Sequence, residues 1–179
     1  MRVISGFARG RKLSDININI RPTSDFVKES VYNIIQFDIE GRQVLDLFAG
    51  SGQLGIEALS RGAKSVVFVD SNPGAVKLIN GNLKLCGFDD AGTVYSRDAI
   101  KFLETDPRRF DIVFVDPPYD TTLVSKALSV IIGIDKLNPN GIIICETTID
   151  TEVPTVCLPY FFYKEYKYGN TKIIRCNRE

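Results

Sequence analysis

Asp116-Pro117-Pro118-Tyr119 combines a carboxylate, a rigid carbonyl and an aromatic ring in one short stretch. It follows the Val/Ile/Phe-rich run Phe110–Val115, which reads as a strand. Consecutive prolines freeze the backbone and remove their own N–H donors, leaving acceptors exposed. Such a set suits methylation of an exocyclic amino group. That nitrogen is not basic, because its lone pair is delocalised into the ring. Acceptors on both of its N–H groups, here the Asp116 carboxylate and the Pro117 carbonyl, draw it toward tetrahedral geometry and aim the lone pair at a methyl donor. Tyr119 offers a face on which a base taken out of its helix can stack. The chain has no histidine, so any proton acceptor must be a carboxylate, a carbonyl, a tyrosine, a lysine or water. A tight turn with Tyr119 in the core is the plainer reading. The position of the motif, downstream of a glycine loop and of Asp98, favours the chemical one.

That loop is Val44-Leu45-Asp46-Leu47-Phe48-Ala49-Gly50-Ser51-Gly52-Gln53-Leu54-Gly55, a strand, a glycine turn and a helix start. Gly50 and Gly52 permit close approach of a ligand to backbone, and Gly55 permits close packing of helix on strand. Asp70 ends the next strand, placed to accept from ribose hydroxyls. Taken literally this is a dinucleotide fingerprint, but charge decides otherwise. Asp46, just ahead of the glycines, would repel a pyrophosphate. It suits S-adenosylmethionine, which brings an ammonium and a sulfonium and no phosphate. Asp98, after the third strand, borders the expected adenine pocket, and it could equally cap the helix that begins at Ala99.

These groups need a scaffold, and the hydrophobic pattern supplies one. The spacing predicts a helix from Asp25 to about Gln36, then strands Val44–Phe48, Ser65–Asp70, Thr93–Ser96, Asp111–Asp116 and Gly141–Glu146. Between them fall helices Leu54–Arg61, Pro73–Cys86, Ala99–Glu104 and Leu123–Ile132. Alternating strands and helices imply a doubly wound α/β fold, with a mostly parallel sheet covered on both faces. Phe161–Tyr166 and Thr171–Cys176, joined through Tyr168-Gly169-Asn170, read as an antiparallel hairpin on the sheet edge. Arg2–Asn19 reads as a β-hairpin or extended arm, giving a division into residues 1–20 and 21–179. The ligand belongs at the carboxyl ends of the strands.

The whole arrangement resembles class I methyltransferases (Rossmann-like, with a seven-stranded sheet) of the (D/N)PPY type. More narrowly it resembles the bacterial small-subunit ribosomal RNA guanine-N2-methyltransferases of the RsmD type. The resemblance runs almost end to end. It is carried by Arg2-Val3-Ile4-Ser5-Gly6, Arg9-Gly10-Arg11-Lys12-Leu13, Arg21-Pro22-Thr23, Leu45–Gly55, Asp116–Tyr119 and Tyr168-Gly169 with Thr171. It implies S-adenosylmethionine as cofactor, and a cofactor site comprising Asp46, Gly50, Gly52, Asp70, Asp98 and Asp116 with Arg21 and Thr23 beside them. Phe48, Ser71 and Ala99 adjoin these positions and complete the expected set, while Asp116, Pro117 and Tyr119 form the expected catalytic group. The chain departs from the family pattern at Ser51 and Gln53, and in a shortened or lost helix after Ile149.

Composition is that of an ordinary globular chain, with 179 residues, 22 basic and 22 acidic side chains and 44% apolar residues. Within Met1–Lys12, Arg2, Arg9, Arg11 and Lys12 stand without an acid, which points to RNA phosphates as the arm's partner. Lys164, Lys167, Lys172, Arg175 and Arg178 interleave with aromatics near the end. Cys86, Cys145, Cys157 and Cys176 form no CxxC pair, so no metal site is expected. No apolar run reaches the roughly 18–20 residues of a membrane span. The expectation is a cytoplasmic, monomeric enzyme acting on ribosomal RNA, with the small-subunit particle as its setting. Three other readings are a methyltransferase acting on adenine N6 or a protein glutamine, a nicotinamide-dependent oxidoreductase, and a non-catalytic RNA-binding assembly factor.

Overall fold

The computed structural model describes residues 1–15, 25–117 and 121–179. In chain order the elements are α1 (Asp25–Ile34), β1 (Gln43–Leu47), α2 (Gln53–Ser60), β2 (Ser65–Asp70), α3 (Pro73–Cys86) and β3 (Gly92–Ser96). They continue as α4 (Ala99–Thr105), β4 (Phe110–Val115), α5 (Thr121–Gly133), β5 (Leu137–Thr148), β6 (Tyr160–Tyr168) and β7 (Thr171–Arg178). The strands form one sheet in the order β3-β2-β1-β4-β5-β7-β6. β1 to β5 are parallel. β7 inserts antiparallel between β5 and β6. Among the described residues no helix is long and apolar enough to cross a membrane.

Strand alternation sorts the core into two layers. Val44, Phe68, Phe114, Ile144 and Ile173 face α1, α2 and α3. Leu45, Val69, Val113, Cys145 and Ile174 face α4 and α5. With helices on both faces, β2 and β4 carry unbroken apolar runs, Val66–Val69 and Ile112–Val115. At Gly55 a Cβ would stand 2.2 Å from Phe68 Cε1 and 2.8 Å from Val66 Cγ1, so α2 lies on β2 only because that position is bare. Gly55→Ala is expected to destabilise by about 1–3 kcal/mol through overpacking, lowering the melting temperature by several degrees. Calorimetry reads this directly, and an unchanged melting temperature would mean that α2 slides off β2 without cost.

α1 ends at Ile34 rather than near Gln36. β5 starts earlier than its apolar core suggests, at Leu137, with a register shift against β4 between Phe110 and Ile112. Asn138-Pro139-Asn140, within β5, forms an irregularity of the ladder, with Asn140 at φ 60°. No helix follows Ile149 up to β6.

The amino-terminal segment closes on itself through an Arg2–Lys12 antiparallel bridge and bonds from Val3 N to Arg11 O (2.9 Å) and Leu13 N to Met1 O (3.2 Å). It is not a free arm, because Val3, Ala8 and Leu13 join the core cluster of the α1–α2–α3 face.

Candidate active site

The carboxyl ends of β1, β2 and β4 converge on one row. β1 register sets Leu47 opposite Val69 and Val115, so the next residues, Phe48, Asp70 and Asp116, follow the ends of three adjacent paired segments. Continuing the β4–β5 register beyond Val115–Cys145 brings Glu146 beside Asp116. Asp46 sits two residues below Phe48 on the side of α2, and it is almost fully buried, at 1% exposure.

Backbone geometry at the end of β1 is unusual. Phe48 takes φ 60°, a sparsely populated region for a residue with a Cβ, followed by Gly50 at φ 55° and Gly52 at φ 75°. The strained turn is held by Asp70, whose Oδ2 accepts from Gly50 N (2.8 Å) and whose Oδ1 accepts from Asn72 N (2.8 Å). Asp46 Oδ2 accepts from Gly55 N at 2.8 Å. Gly52 is the N-cap of α2 and has no side chain to cap with, so a carboxylate from the strand below takes that role. Above Gly50 the space is open: a Cβ there would meet nothing closer than Phe48 O at 4.0 Å. Asp98 is exposed and accepts from Lys101 N at 2.9 Å, capping α4.

Burial pushes the Asp46 carboxyl well above its ordinary value, and the neighbouring Asp116 and Asp70 push it the same way, against the opposing Gly55 N–H. Its stabilising protonation is fully present below the ordinary value of 3.8 and is lost as pH rises through the raised one. Above the raised value the buried Asp46 charge is held at a cost in stability. Asp46→Asn keeps an acceptor for Gly55 N–H and removes the charge. It is expected to raise the melting temperature at pH 7 while weakening S-adenosylmethionine binding at least about tenfold, a stability–function exchange. Calorimetry and isothermal titration check both halves, and tighter cofactor binding by the variant would contradict the charge argument.

The open space above Gly50, with the Asp70 carboxylate beneath it, buried Asp46 behind and half-buried Phe48 beside it, suits a compact cationic ligand and disfavours a pyrophosphate. S-adenosylmethionine fits these residues, and when bound it supplies an electrophilic methyl on a sulfonium. Of the expected site, Asp46, Phe48, Gly50, Gly52, Asp70 and Asp116 come together on the sheet's carboxyl edge. Buried Pro117 follows Asp116 directly, exposed Ser71 follows Asp70, and buried Ala99 opens α4 beside Asp98. Arg21, Thr23 and Tyr119 lie outside the described residues.

Arg2, Arg9, Arg11 and Lys12 are exposed. Arg9 belongs to the turn beside Ser60, at the far end of α2 from the glycine loop, roughly 10 Å away by helix rise. Buried polar groups hold this segment, and sequence reasoning missed them. Glu57, fully buried, accepts from Ile4 N (2.7 Å), Ser5 N (2.9 Å) and Arg61 Nε (2.8 Å). Ser60 Oγ accepts from Ala8 N (2.9 Å) and donates to Ser5 O (2.5 Å). Asn82 accepts from Ser14 N (2.8 Å) and donates to Ser51 O (3.0 Å), joining the arm's end to the glycine loop. Their signal is a glutamate and a serine on the inward face of a short apolar helix, since buried polar groups demand partners. The tail cations divide: Lys172 donates to Thr151 O (3.0 Å), and Arg178 pairs with Asp135 (2.6 Å), so both serve the fold.

Fold and site together define a class I, S-adenosylmethionine-dependent methyltransferase. Comparison with known proteins agrees. A family described as "Conserved hypothetical protein 95" matches residues 1–176. The chain is 38% identical to a putative rRNA methyltransferase, YlbH, of Bacillus subtilis, over 97% of this chain and 96% of that one. It is 39% identical to ribosomal RNA small subunit methyltransferase D of Haemophilus influenzae, over 87% and 82%. A solved structure, putative methyltransferase yhhF from Escherichia coli, superposes with a TM-score of 0.90 at 31% identity, covering 100% of this chain and 98% of that one. The chain belongs to this family.

Proposed function

We propose that the chain transfers the methyl group of S-adenosylmethionine to N2 of a guanine in small-subunit ribosomal RNA. The observation that carries the chemistry is Asp116-Pro117 directly after β4, one residue beyond the paired row Val69–Leu47–Val115 from which Asp70 and the strained Phe48 turn also leave. Support for the substrate comes from relatives named ribosomal RNA small subunit methyltransferase D at 39% and 32% identity.

Asp116 and the Pro117 carbonyl accept the two N–H groups of the guanine amine and turn its lone pair toward the methyl. Transfer leaves the nitrogen cationic. Its proton passes to Asp116 or to water, there being no histidine in the chain. Positioning supplies most of the rate, because the sulfonium is already a good leaving group. Asp46, Phe48, Gly50, Gly52, Asp70, Ser71, Asp98 and Ala99, with Arg21 and Thr23, hold the cofactor, and Tyr119 stacks the extruded base. Arg2, Arg9, Arg11 and Lys12 contact RNA phosphates from the arm. A monomer working on the protein-bound small-subunit particle completes the reading.

Labelled S-adenosylmethionine, offered with ribosomal RNA from a strain lacking the native modification, tests it. The RNA is supplied both naked and as small-subunit particles, and product nucleosides are identified by mass. N2-methylguanosine is expected, formed faster on particles. Label in adenosine, in DNA or in protein overturns the substrate, and absence of label with intact cofactor binding overturns the catalytic role.

A further inference from the structure

The β6 edge carries aromatic rings and cations on one face, and the active-site row does not use them. The register shift between Phe162 and Lys164 sets Phe162 opposite Cys176 and Lys164 opposite Arg175, leaving Tyr163 as an extra residue. Such a bulge re-aims a side chain, and here it turns Tyr163 to the side of Arg175, whose Cζ lies 4.9 Å from the Tyr163 ring centroid. Lys164 Nζ lies 5.0 Å over the Tyr166 ring. Tyr168 meets Phe26 of α1 edge-on, with centroids 5.6 Å apart. Phe26 is 62% exposed and Tyr163 57% exposed.

The stripe thus runs from Phe26 and Tyr168 through Tyr166 and Lys164 to Tyr163, roughly 17 Å at the usual strand rise. The acid of β6, Glu165, alternates to the opposite face, where its Oε1 stands 3.9 Å from Lys172 Nζ. Arg175 is also bound by Ile34 O (2.9 Å) and Asp38 (3.2 Å). It is a fixed prop beneath Tyr163 that keeps the ring's outer side to solvent.

This surface lies beside the reaction centre. Extending the β4–β5 register sets Asp116 beside Glu146, which pairs with Ile173, and Ile173 pairs with Tyr166. Asp116 and Tyr166 are therefore level, three strand spacings or roughly 14 Å apart.

We propose that this stripe is a docking surface for a single-stranded RNA segment flanking the target nucleotide, with bases stacking on Tyr163 and Phe26 and a phosphate at Lys164. The proposal rests on the methyl-transfer reading above. Tyr163, an exposed ring propped by a cation, and exposed Phe26 offer the faces that sequence-tolerant stacking on single strands uses, at about 1–3 kcal/mol per base. A second copy adding to the strand edge is disfavoured by Lys164, Glu165 and Lys167, charges of the kind that blunt edge pairing.

The test uses the full chain with S-adenosylhomocysteine bound and a labelled single-stranded RNA, titrated over a range of salt, alongside methyl transfer to small-subunit particles. Tyr163→Ala combined with Lys164→Ala is expected to weaken RNA binding at least tenfold and to lower the salt slope by about 0.7, for one lost phosphate contact. KM for the particle rises, while kcat and cofactor affinity stay native. Tyr163→Phe restores stacking and Tyr163→Leu does not. Native RNA affinity and KM in the double variant overturn the stripe while leaving methyl transfer standing. So does self-association of the native chain that the double variant abolishes without change in RNA binding. A native chain that neither binds RNA nor methylates it overturns the methyl-transfer reading as well.

Discussion

Asp116→Ala is expected to lower kcat for methyl transfer by about 10²–10³, the usual cost of removing one positioned hydrogen-bonding group from a transition state. Cofactor affinity should stay within a few-fold of native, because Asp46 and Asp70 still surround the ligand's cations. Asp116 is one of the two carboxylates that push Asp46 upward, so its removal relieves repulsion. Asp116→Asn separates two roles. Its amide oxygen still accepts one N–H but cannot take a proton, so recovery of most of the rate would assign the proton to water. Loss equal to alanine would assign it to the carboxylate. Single-turnover kinetics at saturating RNA measure this without interference from product release. Near-native turnover by Asp116→Ala would mean that another acceptor holds the amine.

Gly6→Ala is expected to have the largest effect away from the reaction centre. Gly6 adopts φ +79°, and a Cβ there would stand 1.7 Å from Ser60 O and 2.3 Å from Ser60 C. Those atoms are backbone at the end of α2, with Ser60 O accepting from Phe7 N at 2.8 Å, and they cannot swing aside as a side chain would. The turn must therefore lift off α2, breaking the Phe7 bond and the Ala8–Ser60 bond and exposing part of Glu57. A cost of at least about 2–3 kcal/mol follows from a left-handed residue combined with overpacking. Limited trypsin digestion should then cut first at Arg9 or Arg11, and the melting temperature should fall. Cofactor binding should change less than RNA methylation, because the glycine loop keeps its own bonds to Asp70 and Asp46. A native digestion pattern would show that the arm has a second seat on the protein.

Much of the frame was legible because it depends on local chemistry. Asn72-Pro73 starts α3, with Asn72 Oδ1 accepting from Gly74 N at 2.8 Å, and Gly87 ends it at φ 74°. Both ends follow from residue type alone. Runs such as Val66–Val69 and Ile112–Val115 announce strands buried on both faces. The glycine turn between β1 and α2 was legible for the same reason, since glycine spacing is a statement about backbone within a dozen residues. The start of β5 was not legible: its apolar core suggested Gly141, and pairing of Leu137 with Phe110 of β4 sets the strand's beginning further back.

By itself the sequence determined the order of elements and placed Asp116-Pro117 at the end of β4 and the glycine turn at the end of β1, because each is set by residues close in the chain. Tertiary structure alone decided the partners of polar groups far apart. It assigned Asp46 to the helix start at Gly55, Asp70 to the turn at Gly50, and Glu57, Ser60 and Asn82 to the amino-terminal segment. It sorted the tail cations into those that hold the fold and those that prop exposed rings. The physical reason is that a buried carboxylate or amide must be satisfied by whatever donor or acceptor packing brings near it, and packing joins residues from 9 to 68 positions apart that no local pattern relates.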